Sequence, residues 1–244
     1  MASAVEQLAK NANFGALAKA TELKQRILFV IGALIVYRLG THIPIPGIDT
    51  QAWSQFFSDP SKSGGILGMF NMFSGGALSR MTIFALNIMP YISASIIMQL
   101  ASAMSKKLEE LKKEGEVGRM KINQYTRYLT VLLAAVQAYG MSIGLEASGT
   151  VIDPGMFFRV STVITIVGGT VFLMWLGEQI TSRGVGNGIS LIIFAGIVAE
   201  LPRAIASALD LGQEGTLHPM VLFMLAVMVV AVIALIVFVE RAHR

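Results

Sequence analysis

The sequence predicts an all-α membrane protein with six transmembrane helices and one short apolar segment that does not span. Composition is the first reason: 54% of the residues are hydrophobic and 14% charged, against about 25% charged in an ordinary soluble domain. The second is that the apolar residues gather into runs near the ~20 residues a helix needs to cross a bilayer. The third is the placing of glycine. Ile66 to Phe73 is preceded by Gly64-Gly65 and followed by Gly75-Gly76. This piece is far too short to span, and after Arg80 it leads into a long apolar run. Irregular backbone at membrane depth is tolerated only where protein covers it or where it lines a wet cavity. The stretch therefore points to a channel or transporter interior with a movable part.

Taken in order, residues 1–22 form an N-terminal cytoplasmic or interfacial segment. Ala2–Lys19 is small and mildly amphipathic and suits a membrane surface. With Glu6, Lys10 and no convincing processing site, it does not read as a cleavable signal peptide. Spans are expected near Leu23–Leu39, Met81–Met104, Tyr128–Leu145, Phe157–Leu176, Ile189–Leu201 and Met220–Val239. The first is weakened by Arg38 and broken by Ile43-Pro44-Ile45-Pro46-Gly47. The fifth is short and borrows from the cluster Arg183–Ser190. There Asn187-Gly188 tolerates positive φ, Ser190 is placed to cap the span, and Glu178 is a partner for Arg183.

Charge placement gives an orientation. Of the 19 Lys and Arg, 14 fall on one side of these spans and 5 on the other, while the acidic residues divide almost evenly. The positive-inside rule puts both ends of the chain in the cytoplasm. The net charge of +4 is then mostly a matter of topology and not a nucleic-acid footprint. The richest loop, Ser105 to Gln124, alternates Lys and Glu at helical spacing. It reads either as a solvated turn anchoring two spans or as a docking surface for a cytoplasmic partner or anionic lipid.

Several chemistries are unsupported. There is no cysteine, so disulfides and thiolate metal sites are excluded. His42, His218 and His243 are scattered. The 183–190 cluster lacks GxGxxG spacing and follows a span, so it is not a dinucleotide site. The middles of the second, third, fifth and sixth spans hold no ionisable residue, and such residues usually mark proton or ion paths. A pore closed by apolar side chains, which block ions by dewetting, fits better. Ile88 and Ile92 are four apart and would share a helix face, either as part of such a constriction or simply as packing. Asn87 and Pro90 suggest a loosened helix there. Ser93, Ala94 and Ser95 allow close approach of another helix, and Gln99 is a candidate for an interhelical hydrogen bond.

These residues carry a family resemblance. IPIPGID (43–49), MFNMFSGGALSR (69–80), MPYISASII (89–97), KKEGE (112–116), QYTRY (124–128), the run from Phe172 to Ser190, and IIFAGIVA (192–199) resemble bacterial SecY, the channel subunit of the protein translocon. The likeness is dense from Thr21 onward and poor in 1–20 and in Gln51–Lys62. It implies a channel of two inverted five-helix halves with ten spans, of which this chain has the N-terminal half, residues 23–209. Residues 210–244 would be the sixth helix and the start of the next cytoplasmic loop. It further implies that residues 64–79 form a plug, with Ile66, Leu67, Met69, Phe70, Met72 and Phe73 as its apolar body and Gly64, Gly65, Gly75 and Gly76 as its hinge. Ile88, Ile92 and Ile193 would belong to the pore ring. Ser93 and Gln99 would lie on the lateral-gate side.

The implied activity is passage of unfolded polypeptide, with no chemistry on the substrate and no cofactor. The implied partners are SecE and SecG, the motor ATPase SecA, a translating ribosome, signal sequences and membrane lipids. A chain ending after the sixth span is expected not to form a sealed channel by itself. A secondary transporter would predict midplane carboxylates or half-helix ion sites. A plain anchor would have no need of the glycine-bracketed segment.

Overall fold

The computed structural model describes residues 21–58, 66–213 and 219–242. Of the sequence expectations, the surface segment 1–20 and the glycines Gly64 and Gly65 lie outside these residues. The described residues form nine helices: α1 (Thr21–Gly40), α2 (Thr50–Ser58), α3 (Ile66–Phe73), α4 (Met89–Met104), α5 (Lys106–Lys113), α6 (Glu116–Ala147), α7 (Met156–Arg183), α8 (Gly188–Gln213) and α9 (Pro219–Ala242). Among them α6, α7, residues 188–210 of α8 and residues 223–242 of α9 are long and apolar enough to cross a membrane, while α4 is apolar but shorter.

Contacts divide the chain into two units, residues 1–197 and 198–244. In the first, α6 packs against α4 and α7, and α7 against α1. The reason is legible along α6: Thr126, Thr130, Ala134, Ala138 and Ser142 are buried at every fourth position. Such a row of small side chains lets neighbouring backbones come close. Two apolar clusters fill the unit, one around Trp53, Leu78, Met81 and Phe158, the other around Tyr37, Phe84, Ile88, Leu173 and Ile192. The second unit holds the end of α8, with Pro202 inside the helix, and α9, whose described side chains are exposed. Glu200 and Arg203 pair there at 3.3 Å.

The expected second span is corrected at its start. The sequence placed it from Met81, but α4 begins at Met89, and residues 74–88 form a succession of turns. Turn bonds link Met81 N–H to the Leu78 carbonyl (3.0 Å), Ala85 to Thr82 (2.9 Å) and Asn87 to Phe84 (2.8 Å). Met81 and Asn87 have positive φ, 46° and 49°, which no continuous right-handed helix can contain. Pro90 then sits in the first helical turn. Its missing N–H costs nothing there and its fixed φ suits the helix. It starts α4 instead of loosening it.

A helix that the sequence did not reveal, α2, follows Asp49, whose Oδ1 accepts from the N–H groups of Gln51 and Ala52 at 2.9 and 3.1 Å. Its Trp53 is buried, and the indole N–H donates to the Leu78 carbonyl at 3.0 Å. The Ile43–Asp49 segment ties two distant stretches together. Ile83 N–H donates to the Ile43 carbonyl and Ile45 N–H to the Met81 carbonyl, both at 3.0 Å. Asp49 N–H donates to the Thr150 carbonyl at 2.9 Å, and Ile152 N–H to the Gly47 carbonyl at 3.1 Å.

The α7–α8 hairpin also differs from expectation. Asn187, not Ser190, caps α8: its Oδ1 accepts from Ile189 N–H at 3.0 Å and Ser190 N–H at 3.4 Å. Positive φ falls on Gly186 (76°). Glu178 does not pair with Arg183. It receives the Arg127 guanidinium fork from α6, two bonds of 2.8 Å.

Candidate functional site

Among the described residues, the bonds that hold the two-turn helix α3 gather at its C-terminal end. Gly76 N–H donates to the Asn71 carbonyl at 3.0 Å and Gly75 N–H to the Met72 carbonyl at 3.2 Å. With Gly75 at φ 64°, this is a Schellman ending, which satisfies carbonyls that a helix end otherwise leaves orphaned. Ser74 N–H takes the Phe70 carbonyl at 3.0 Å. The Asn71 side chain accepts from Ser79 N–H at 2.8 Å and so braces the turn. The last helical carbonyl, that of Phe73, accepts from Asn87 Nδ2 at 2.8 Å.

The turn itself is gripped from several sides. The Gly75 carbonyl accepts from Arg38 Nη1 and Arg80 Nη2, both at 2.9 Å. Tyr37 donates to the Ser74 carbonyl at 3.4 Å. His42 Nδ1 is 2.9 Å from the Arg38 carbonyl and its Nε2 is 3.3 Å from Arg80 Nη1. These partners assign the proton to Nδ1, leaving Nε2 to accept from Arg80. A β-carbon added to Gly75 would stand 2.9 Å from Gly196 Cα, so α8 passes the turn backbone to backbone.

Beside this seat lies a hollow of about 270 Å³, lined by Phe73, Asn87, Ile88, Met89, Ile92 and Ile193. The structure thus brings the three isoleucines singled out in the sequence to one cavity, with the end of α3 against them. Ile88 immediately precedes α4 and is 1% exposed, and its carbonyl accepts from Ile92 N–H at 3.1 Å. A second hollow of about 370 Å³ opens on the α6 side and includes Phe70, Ser93, Gln137 and Met141. Asn87 and Met89 border both.

Gln99 is elsewhere. It is exposed, bonds within its own helix to Ser95 at 3.4 Å, and borders a third hollow of about 210 Å³ with Lys112, Arg119 and Asn123. The expected interhelical bond is therefore not made. On α3, Met69 is 63% and Met72 52% exposed, and Phe70 and Phe73 are partly so. The side chains of Ile66 and Leu67 are outside the described residues.

Sequence reasoning did not single out Tyr37, Arg38, Arg80, Asn71, Asn87 or Gly196 as members of this seat. In the sequence Arg38 only weakens the first span, and Arg80 only separates two apolar stretches. The available signal was that Arg38 sits near the end of one apolar run and Arg80 between a glycine pair and the next apolar run, places where a buried carbonyl is a natural partner.

A family model for SecY matches residues 82–244, more than half of the chain. The chain belongs to the SecY family. Protein translocase subunit SecY of Escherichia coli (strain K12) is 58% identical over 227 residues, covering 91% of this chain and 51% of that protein. The protein of the same name from Rickettsia conorii is 58% identical over 228 residues, covering 91% and 52%. The chain spans about half the length of the curated relatives it matches. Among solved structures, one titled as that of a protein conducting channel matches with TM-score 0.51 at 20% identity, covering 71% of this chain and 36% of that chain. Sec61 in the canine ribosome-channel complex from the endoplasmic reticulum matches with the same values. At that identity the likeness concerns the fold, which is the helical fold of these channels. Family membership and the long apolar helices make this a multi-pass membrane protein.

Proposed function

We propose that the chain supplies the N-terminal half of a protein-conducting channel subunit. The complete subunit passes unfolded polypeptide across a bacterial cytoplasmic membrane and releases signal or transmembrane segments sideways into lipid. The observation that carries this reading is an apolar hollow, walled by Ile88, Ile92 and Ile193, with the end of the short helix α3 set against it. An apolar waist blocks ions by dewetting yet makes no specific bond that would hold a passing chain.

In this reading α3 is the plug, with Met69, Phe70, Met72 and Phe73 facing what the second half of the pore covers. The glycines around it form its hinge. The three isoleucines are this half's share of the pore ring. Helices α4 and α6 form one wall of the lateral gate, with Ser93 on the hollow between them and Gln99 farther along α4. Both ends of the chain face the cytoplasm, as the Lys and Arg bias requires. The substrate undergoes no bond-making or bond-breaking. Energy comes from SecA or a translating ribosome, SecE and SecG complete the complex, and lipids receive the released segments.

The test is site-specific crosslinking. The chain has no cysteine, so single cysteines at positions 88, 92 and 193 are the only thiols within it, and any cysteine in the rest of the full-length subunit is replaced first. With a secretory chain stalled in transit, each should crosslink to that chain. Crosslinks to lipid alone would overturn the ring assignment.

A further inference from the structure

We infer that Asn87 is the positioning residue that ties the seating of α3 to the base of α4, through its side-chain bond to the Phe73 carbonyl. This rests on the channel reading above and names a residue that reading does not use. The argument begins with hydrogen-bond accounting at the end of α3. The carbonyls of Phe70, Asn71 and Met72 are taken by N–H groups of its own turn, those of Ser74, Gly76 and Gly75. The Phe73 carbonyl is the one satisfied by a side chain from outside, Asn87 Nδ2 at 2.8 Å. Only the amide nitrogen can donate to a carbonyl, so the orientation of the carboxamide is determined.

The backbone at this position is also special. Asn87 has φ 49° and is 3% exposed. Glycine enters this region freely, and asparagine enters it more readily than most other residues. A turn alone would be served by glycine; what asparagine adds is the carboxamide that reaches α3. Asn87 borders both the isoleucine hollow and the hollow toward α6, and its chain neighbour is Ile88. When α3 leaves its seat, Asn87 loses its acceptor, and the backbone beside Ile88 is free to leave the left-handed region. Seating of α3 and placement of Ile88 are therefore joined by one carboxamide.

The experiment uses the full-length subunit assembled with its partners, after confirming equal amounts of complex. Ion leak of the resting channel and export of a precursor with a defective signal sequence are measured beside export of a precursor with an intact signal. Asn87→Gly keeps the backbone and deletes the bond. Asn87→Asp keeps the shape and has no N–H to give. Both should raise leak and defective-signal export by about two- to tenfold, the population shift a lost hydrogen bond produces, with intact-signal export unchanged. Ser190→Ala, at an exposed position away from this seat, should leave all three unchanged. If Gly and Asp both match the wild type, or if only Gly loosens the channel, the bond is not what matters and the inference fails. Should Asn87→Gly not assemble, the isosteric Asp variant decides alone. Deleting residues 66–73 separates the two ideas: no leak from that deletion removes the plug assignment itself, and the inference with it.

Discussion

Gly75 meets two demands at once that few other residues satisfy together. Its φ of 64° favours glycine, and its backbone lies against Gly196 so closely that a β-carbon would be 2.9 Å from Cα. Gly186 offers the control: φ is 76°, with nothing within 4 Å of an added β-carbon. Gly186→Ala should cost only the left-handed strain, roughly 1–2 kcal/mol. Gly75→Ala should add an overpacking cost of about 1–3 kcal/mol. Hydrogen exchange should show the excess as faster exchange of amides 74–79 in Gly75→Ala, with those amides unchanged in Gly186→Ala. Equal behaviour would mean that the Gly196 contact has no energetic weight. The glycine pair was legible in sequence as punctuation. That it forms a Schellman ending gripped by Arg38, Arg80 and Tyr37 was not, because those bonds join residues up to 37 positions apart.

Local chemistry decides where α8 begins. Ser190 was a reasonable cap from composition alone, but the helix starts earlier and Asn187 stands where a side-chain oxygen meets the second and third N–H groups. Asn187→Ala should lower stability by about 0.5–2 kcal/mol, Asn187→Asp should be close to neutral, and Ser190→Ala should not reproduce the loss. Thermal unfolding of the detergent-solubilised complex measures this. The start of α4 was misjudged for a related reason: hydropathy continues through residues 81–88, and only backbone angles distinguish turns from helix there. The Arg127–Glu178 fork was invisible for another, since its ends are 51 residues apart. Arg127→Lys loses the planar fork. Because the pair is partly exposed, a double-mutant cycle should give a coupling of only about 0.2–1 kcal/mol, weaker in high salt.

Across the whole chain, the membrane character was readable from composition, because apolar spans and a Lys/Arg bias need no tertiary information. The 32 residues of α6 extend about 48 Å, more than a bilayer's apolar core, so its two ends should lie on opposite sides. A cysteine at Lys112, just ahead of α6, should react with an impermeant maleimide only from the cytoplasmic face. A cysteine at Asp153, just after it, should react only from the outer face. Labelling of both from one side would refute the orientation. The pore-side arrangement was legible only in part. Ile88, Ile92 and Ile193 line one hollow, whereas Gln99, a polar residue in an apolar run, lies on an exposed part of α4.

The Gly75–Gly196 contact sets an order of events during synthesis. Its two halves are roughly 120 residues apart in the chain. At ~5–20 residues per second, about 6–24 s separate their appearance. Tyr37, Arg38, Arg80 and Asn87 all emerge within that early window or just before it, so most of the seat for α3 can assemble while α8 is still unmade. The glycine of α8 arrives last, as the final wall of a nearly finished socket. A slow stretch of translation between residues 90 and 196 would prolong the unfinished stage without altering a single contact in the final fold.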